Sequence, residues 1–316
     1  MTEISKWTIV RPICLILLLA VSACTNSRLV ISPLYNQLDD RIRKEFHKLG
    51  DFNDEQIAAF EQRLGTYHVW HRQAELPLYG KLLNEIASSI KQGSSTASDV
   101  KRWFEQVELH SRAARECHPI NFSFELIQSL TDEQLNYIER RFKNQQKKNQ
   151  QRYASKSRTE RLQRRLSNME KWAGRINLDF TDEQREILRT TFQQQQSLRA
   201  EYYELTADWN RQFFKIARNQ QLANYSELLG AHIDKLWSLL ETAHSEQWNE
   251  NRELWQAASY KFIQSMTSQQ RTQSSRWLFG LSNTLDTISR YEPSFKPDNG
   301  EYIGCPLPAD APQTPG

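Results

Sequence analysis

Apolar residues recur at three- and four-residue intervals in one segment after another, and no stretch of strand-like alternation stands out. Leu34, Leu38, Ile42, Phe46 and Leu49 mark a first helix, which Gly50 ends. Ile57, Phe60, Leu64, Tyr67 and His71 mark a second, with a break predicted at Leu76-Pro77. Pro77 suits the first turn of a third helix, continued by Tyr79, Leu82, Leu83, Ile86 and Ile90. Residues 93–98 read as a linker, and Ser98 as the cap of a fourth helix through Trp103, Val107 and Leu109 that stops near Cys117-His118-Pro119. The later segments are longer. One runs from Thr131 toward Trp172; residues 143–161 have little apolar stripe beyond Tyr153, so this helix either projects into solvent or is broken there. Gly174 and Asn177 mark a turn. Further helices are predicted from Thr181 through Ile216, over residues 224–263, and from Thr267 to about Arg290. The expected fold is all-α, a bundle of long amphipathic antiparallel helices. Residues 31–118 form an N-terminal helical subdomain, 119–290 a long-helix domain and 291–316 an extended tail rich in Pro and Gly.

The first residues change this picture. Lys6 and Arg11 precede an apolar run, residues 13–21, too short to span a bilayer comfortably. It ends in Val21-Ser22-Ala23-Cys24, which resembles the lipobox of bacterial lipoproteins. The resemblance implies removal of residues 1–23, lipidation of Cys24 and a short tether over 24–30; the alternatives are an ordinary signal peptide or a poor transmembrane helix. Thr25 stands where Asp would imply inner-membrane retention, so the expected location is the outer membrane, facing the periplasm. Cys117 and Cys305 are then the thiols left in an oxidising compartment. They are expected to form one disulfide worth about 4–5 kcal/mol at most, the alternative being two independent thiols.

One phrase opens four of the predicted helices: an apolar residue, Thr or Asn, two residues, Gln. The copies carry Asn53 and Gln56, Thr131 and Gln134, Thr181 and Gln184, and Thr267 and Gln270. Each reads as a capping box, in which the first side chain accepts the N–H of the fourth residue and the Gln side chain accepts the N–H of the first. Leu130-Thr131…Gln134 also resembles the Leu-Thr-x-x-Gln motif of the Spy/CpxP family of periplasmic proteins. In that family paired copies start the long helices of a cradle that binds unfolded clients or an envelope sensor. A broader resemblance rests on Leu34-Tyr35-Asn36-Gln37-Leu38, on Phe52-Asn53-Asp54-Glu55-Gln56 and on a block from Trp70-His71-Arg72 through Glu75-Leu76-Pro77-Leu78-Tyr79. It is to an uncharacterised family of Gram-negative lipoproteins and implies location and fold without an activity.

Charge is unevenly placed. Residues 139–175 hold 13 Lys and Arg against 3 Glu, a net of +10 in a chain whose total is +3. Arg140, Arg141, Lys143, Lys147, Lys148 and Arg152 are the candidate contacts for an anionic partner: lipid, glycan phosphate or an acidic client segment. The alternative is a solvated helix face. Nucleic acid is not an expected partner of an exported protein. His68, His71 and Glu75, at i, i+3 and i+7, could share a helix face and present ligands to a metal, but no fourth ligand and no His-Glu-x-x-His order accompany them. Residues so placed more often hydrogen-bond across a helix packing seam, and in that reading Trp70, His71, Arg72 and Glu75 fix the break at Pro77 and the packing of two helices. No phosphate loop or nucleophile elbow is present. The expectation is a lipid-anchored, non-enzymatic helical protein without a cofactor that binds an envelope partner or unfolded clients. A metal-dependent enzyme and a structural envelope spacer are the competing readings.

Overall fold

The structure, a computed structural model, describes Ser32 and residues 35–290; the signal segment, Cys24, the tether, Cys305 and the tail lie outside the described residues. Those described are helical throughout, joined by short turns, with no strand among them. The helices are α1 (Leu38–His47), α2 (Asp54–Trp70), α3 (Leu76–Gln92), α4 (Ala97–Glu116), α5 (Phe124–Gln128), α6 (Asp132–Ala154), α7 (Arg158–Gly174), α8 (Asp182–Gln194), α9 (Arg199–Ala217), α10 (Tyr225–Lys235), α11 (Leu239–Ala243), α12 (Ser245–Gln264) and α13 (Ser268–Ser289).

Of the two forms expected for the basic stretch, the broken one is found, at residues 155–157, because Ser157 and Glu160 form a capping box that starts α7. Other expectations need correction. The helix opened by Thr181 ends at Gln194 and restarts at Arg199. Residues 224–263 form three helical pieces joined through a 3₁₀ turn, Leu236–Ser238, and a non-helical His244. The cap of α4 is Thr96, with Asp99 completing the box, and Ser98 lies inside the helix. Pro77 does not end helical structure either. It cannot donate an N–H, and its ring crowds the carbonyl four residues back. The chain accommodates this with a π turn, His71–Glu75, in which the Leu76 N–H bonds to the His71 carbonyl five residues back. The predicted turn after α7 is present, with Asn177 in the left-handed region at φ 54.

Helices distant in sequence pack antiparallel. α3 and α13 make the most extensive contact, with Gly93 beside Arg271 at one end and Arg72 bonded to the Ile288 carbonyl at the other. Between them lies a core of Tyr35, Leu76, Leu83, Leu281, Leu285 and Ile288. α12 runs against α4, with Arg252 reaching Glu108 and Gln264 reaching the Ser95 carbonyl. Both pairs cross the expected boundary between residues 118 and 119. α6 runs against α9 over a second core, including Leu135, Ile138, Trp209 and Phe214. A third core joins α7 and α8 to α12 through Leu162, Leu166, Phe180, Leu188, Phe192, Trp255 and Phe262.

The α3–α13 seam has small residues where backbones approach. Ser282 Oγ donates to the Gly80 carbonyl at 2.8 Å, and a Cβ on Gly80 would meet Ser282 Oγ at 3.3 Å. Gly80→Ile is therefore expected to cost about 2–3 kcal/mol by forcing the helices apart. Urea unfolding measures it; a cost below that of the same change at Gly174, where nothing lies within 4 Å, would contradict the close approach.

Candidate functional site

The four repeated phrases are helix starts, and each forms the expected capping box. They also meet in two pairs. In the first, the Gln56 side chain accepts the Asn53 N–H (3.1 Å) and the Gln134 side chain accepts the Thr131 N–H (2.9 Å). Gln56 Nε2 donates to the Ser129 carbonyl (2.8 Å), and Gln134 Nε2 to the Asp51 carbonyl (2.6 Å). The two amides face each other, Nε2 to Oε1, at 3.1 and 2.9 Å. The second pair repeats the arrangement. Gln184 and Gln270 accept from Thr181 and Thr267 at 3.0 Å each. They donate to the Ser265 and Asp179 carbonyls (3.3 and 2.7 Å) and to each other (2.8 and 2.9 Å). In all four cases the accepting carbonyl lies two residues before the partner's cap. Each glutamine amide thus closes its own helix start and holds another about 80 residues away.

Burial makes these amides costly to remove, since Gln184 is fully buried and Gln56 nearly so. Gln184→Ala leaves an N–H, a carbonyl and a partner amide unmatched, so a loss of about 2–4 kcal/mol is expected. Thr96→Ala, at an exposed and unpaired box, should cost about 1 kcal/mol. A double-mutant cycle on Gln184→Ala and Gln270→Ala should show coupling of about 1 kcal/mol or more. Additive losses would mean that the pair is two independent caps.

The three candidate metal ligands, His68 in the last turn of α2 and His71 and Glu75 in the π turn, go to different partners. His71 Nδ1 bonds to Tyr35 Oη at 2.9 Å, while Glu75 Oε2 accepts from His110 Nδ1 at 3.2 Å. His68 Nε2 lies 3.5 Å from Arg72. Among the described residues no group of three His, Cys, Asp or Glu could hold a metal ion. What assembles instead is a polar knot under the α3–α13 seam. Arg72, 2% exposed, donates to the Ile288 carbonyl (3.0 Å) and Asn36 Oδ1 (2.9 Å) and lies over the Tyr35 ring. Cys117 is buried nearby, against Tyr67 and Trp70.

Burial, helped by the charges of His68 and Arg72, pushes His71 down to about 3. Burial likewise pushes His68 and His118 to about 4. Their folded values lie below the ordinary 6.5, so the unfolded chain binds more protons in acid. Stability is then complete above about pH 6.5 and falls as pH drops through 6.5 toward 3, by about 1.4 kcal/mol per pH unit for a fully buried His71. Urea unfolding at pH 5 and pH 7 tests this. His71→Gln should lessen the dependence by about that amount, and an unchanged slope would contradict the assignment.

The six cations singled out from sequence do not converge. Lys143 is paired with Glu139 (2.7 Å), Arg141 lies over the Tyr137 ring, and Arg140, Lys147, Lys148 and Arg152 are exposed along α6. The second half of the basic run behaves differently. Arg158, Arg161, Arg164 and Arg165 of α7 line a half-open cavity of about 1090 Å³ between α4, α7, α8, α9, α11 and α12. Arg199 joins them from α9, and Phe104, Phe192, Trp237, Trp248 and Trp255 form much of the remaining wall. Arg165 lies 4.3 Å over the Phe192 ring, Arg161 4.3 Å over Tyr153 and Arg199 5.6 Å over Tyr203. Partial desolvation by the surrounding walls, although its side chain still reaches solvent, and the nearby charge of Arg199 lower the basicity of Arg165. The spacing of Arg158, Arg161 and Arg165 around Leu162 was the available sequence signal, but it acquires meaning only once α7 starts at Ser157.

An all-helical bundle with paired amide caps and one large arginine- and aromatic-lined cavity is the class of protein these observations define. The chain belongs to the family of unknown function DUF6279, whose model matches residues 48–239. The expectation of an uncharacterised family is met at that level. The match takes in the phrases at Asn53, Thr131 and Thr181 and ends before the one at Thr267. No curated protein and no solved structure is significantly similar to the chain.

Proposed function

We propose that the chain is a lipid-anchored, periplasm-facing protein of the outer membrane that binds an envelope partner or unfolded clients and carries out no chemistry of its own. The cavity is the observation that supports this most. Its volume is at the top of the roughly 300–1,000 Å³ range of ligand pockets, and its lining combines aromatic surface with cations, the usual composition of a recognition site. The lipobox-like Val21-Ser22-Ala23-Cys24 supports the anchor. Among the described residues no helix is long and apolar enough to cross a membrane, which leaves attachment to the N-terminal segment in this reading. The cavity lies on the half of the basic run that follows the helix break. The anionic partner expected from charge is therefore assigned to Arg158, Arg161, Arg164 and Arg165 rather than to α6.

The test is capture in the envelope. A photo-crosslinking residue at Trp248, within the cavity, should trap a partner that the same residue at the exposed Leu109 does not. Purified protein at near-stoichiometric ratio should also suppress aggregation of a reduced model client, several-fold less at 0.5 M salt because its cations are screened. Neither trapping nor suppression would overturn the reading.

A further inference from the structure

The cavity is chemically two-sided. On the α4, α11 and α12 side, the cations are already engaged: Arg252 pairs with Glu108 at 3.2 Å, and Arg115 donates to the Trp237 carbonyl at 3.1 Å and to that of Ser111. What that side offers is apolar surface from Phe104, Val107, Leu240, Trp248 and Trp255. On the α7 and α9 side, Arg161, Arg164, Arg165 and Arg199 have no carboxylate within ion-pair distance among the described residues, although Arg161 donates to the Tyr153 and Lys156 carbonyls. Elsewhere on this surface, arginines and carboxylates are commonly paired, as in Arg185 with Glu170 and Arg218 with Glu139. Four like charges are thus gathered at the mouth of the cavity without an ion-pair partner, while the carboxylates that line it, Glu108 and Glu241, stand on the α4 and α11 side and Glu160 acts on Arg164 only at longer range.

The rings under these arginines add a constraint. Arg161, Arg165 and Arg199 each rest on an aromatic face, which orients the guanidinium plane; the N–H edges of Arg165 and Arg199 are left able to donate, while one Arg161 nitrogen already bonds to the Tyr153 and Lys156 carbonyls. Tyr153 and Tyr203, under Arg161 and Arg199, touch edge to face at 6.1 Å, and Tyr153 Oη bonds to Ser197 Oγ at 2.9 Å, so these supports form one connected platform. Fixed guanidinium forks suit tetrahedral oxyanions, and several positive forks suit a dianion better than a single carboxylate. An apolar wall opposite the cations calls for a ligand whose other end is hydrocarbon.

We propose that this cavity binds a single-chain amphiphile ending in a phosphate monoester, the phosphate held by Arg165 and Arg199 with Arg161 and Arg164 beside them, and the chain lying along Phe192, Trp248 and Trp255. The proposal rests on the reading of the cavity as the binding site and names its ligand class. It places the recognition chemistry on α7 and the start of α9, and it makes residues 195–198, which line the cavity between α8 and α9, part of the headgroup end.

Trp237, Trp248 and Trp255 line the cavity and report its occupancy by fluorescence. The full chain carrying Cys24→Ser is titrated, below micelle-forming concentrations, with dodecyl phosphate, dodecyl phosphocholine, dodecyl maltoside and inorganic phosphate. Dodecyl phosphate should bind at least tenfold more tightly than each of the others. Arg165→Gln and Arg199→Gln should each weaken it fivefold or more while leaving dodecyl maltoside unchanged, which also shows that the variants are folded. Equal affinity for the three dodecyl compounds would overturn the headgroup assignment and leave the cavity as a binding site. Inorganic phosphate binding as tightly as dodecyl phosphate would overturn the apolar half. Displacement of dodecyl phosphate by an equimolar acidic, aromatic-containing peptide would overturn the amphiphile in favour of a polypeptide partner. If no ligand binds, peptide included, the cavity reading falls together with the proposal.

Discussion

A carboxamide has one oxygen able to accept twice and one nitrogen with two protons to give. The four paired glutamines use nearly all of that capacity. Each oxygen takes a cap N–H and an N–H of the partner amide; each nitrogen gives to the partner amide and to the backbone carbonyl beyond it. Helix starts ordinarily leave N–H groups unmatched, and most proteins satisfy them locally or with water. Here the local solution at one start supplies the atoms that bind another. Since Gln184 and Gln270 are buried, their amides have no water to fall back on, and the starts of α8 and α13 are placed together. The chain just before α13 is the end of α12, so the same contact sets where Trp255 meets Phe192 at the cavity wall. A mutation far from the cavity can therefore reshape it.

The polar knot around His71, Arg72 and Glu75 serves the other seam. Its groups are charged or polar and almost fully buried, so their hydrogen bonds to Tyr35, Asn36, His110 and the Ile288 carbonyl offset desolvation rather than add large net stability. Their contribution is to specificity of packing. Arg72 reaches the last turn of α13 only when α3 and α13 lie in one register, and the Ser282 hydroxyl on Gly80 requires the same register.

Helical periodicity and capping chemistry were legible in the chain, because both depend on residues within one or two turns. All four Gln-bearing boxes form where Asn53, Thr131, Thr181 and Thr267 indicated. Thr96 with Asp99 and Ser157 with Glu160 obey the same rule with a carboxylate in place of the amide. The second of these boxes sets where the basic stretch breaks, and so which face of α7 its arginines share. Two features had no local signal. A glutamine at a cap looks the same whether its nitrogen faces solvent or a carbonyl 80 residues away. A cavity walled by six helices exists only after they pack. The shared face of His68, His71 and Glu75 presumed an ideal α-helix through a segment that Pro77 makes wider, whereas the seam hydrogen bonds expected of such residues are what His71 and Glu75 make.

That widening acts on everything after it. An α-helix turns by about 100° per residue, and a π turn absorbs one residue more than the α geometry has room for. It works as a phase shifter between two lengths of a nearly continuous rod, α2 and α3. With it, Gly80, Leu83, Ala87 and Ile90 are buried on α3, while Tyr67 and Trp70 keep their own buried face on α2. Had the chain stayed α-helical through His71–Glu75, every side chain of α3 would be rotated by roughly a quarter turn relative to α2. The bulkier neighbours of Gly80 would then point at Ser282. One supernumerary residue beside one proline thus lets a single rod serve two differently oriented cores.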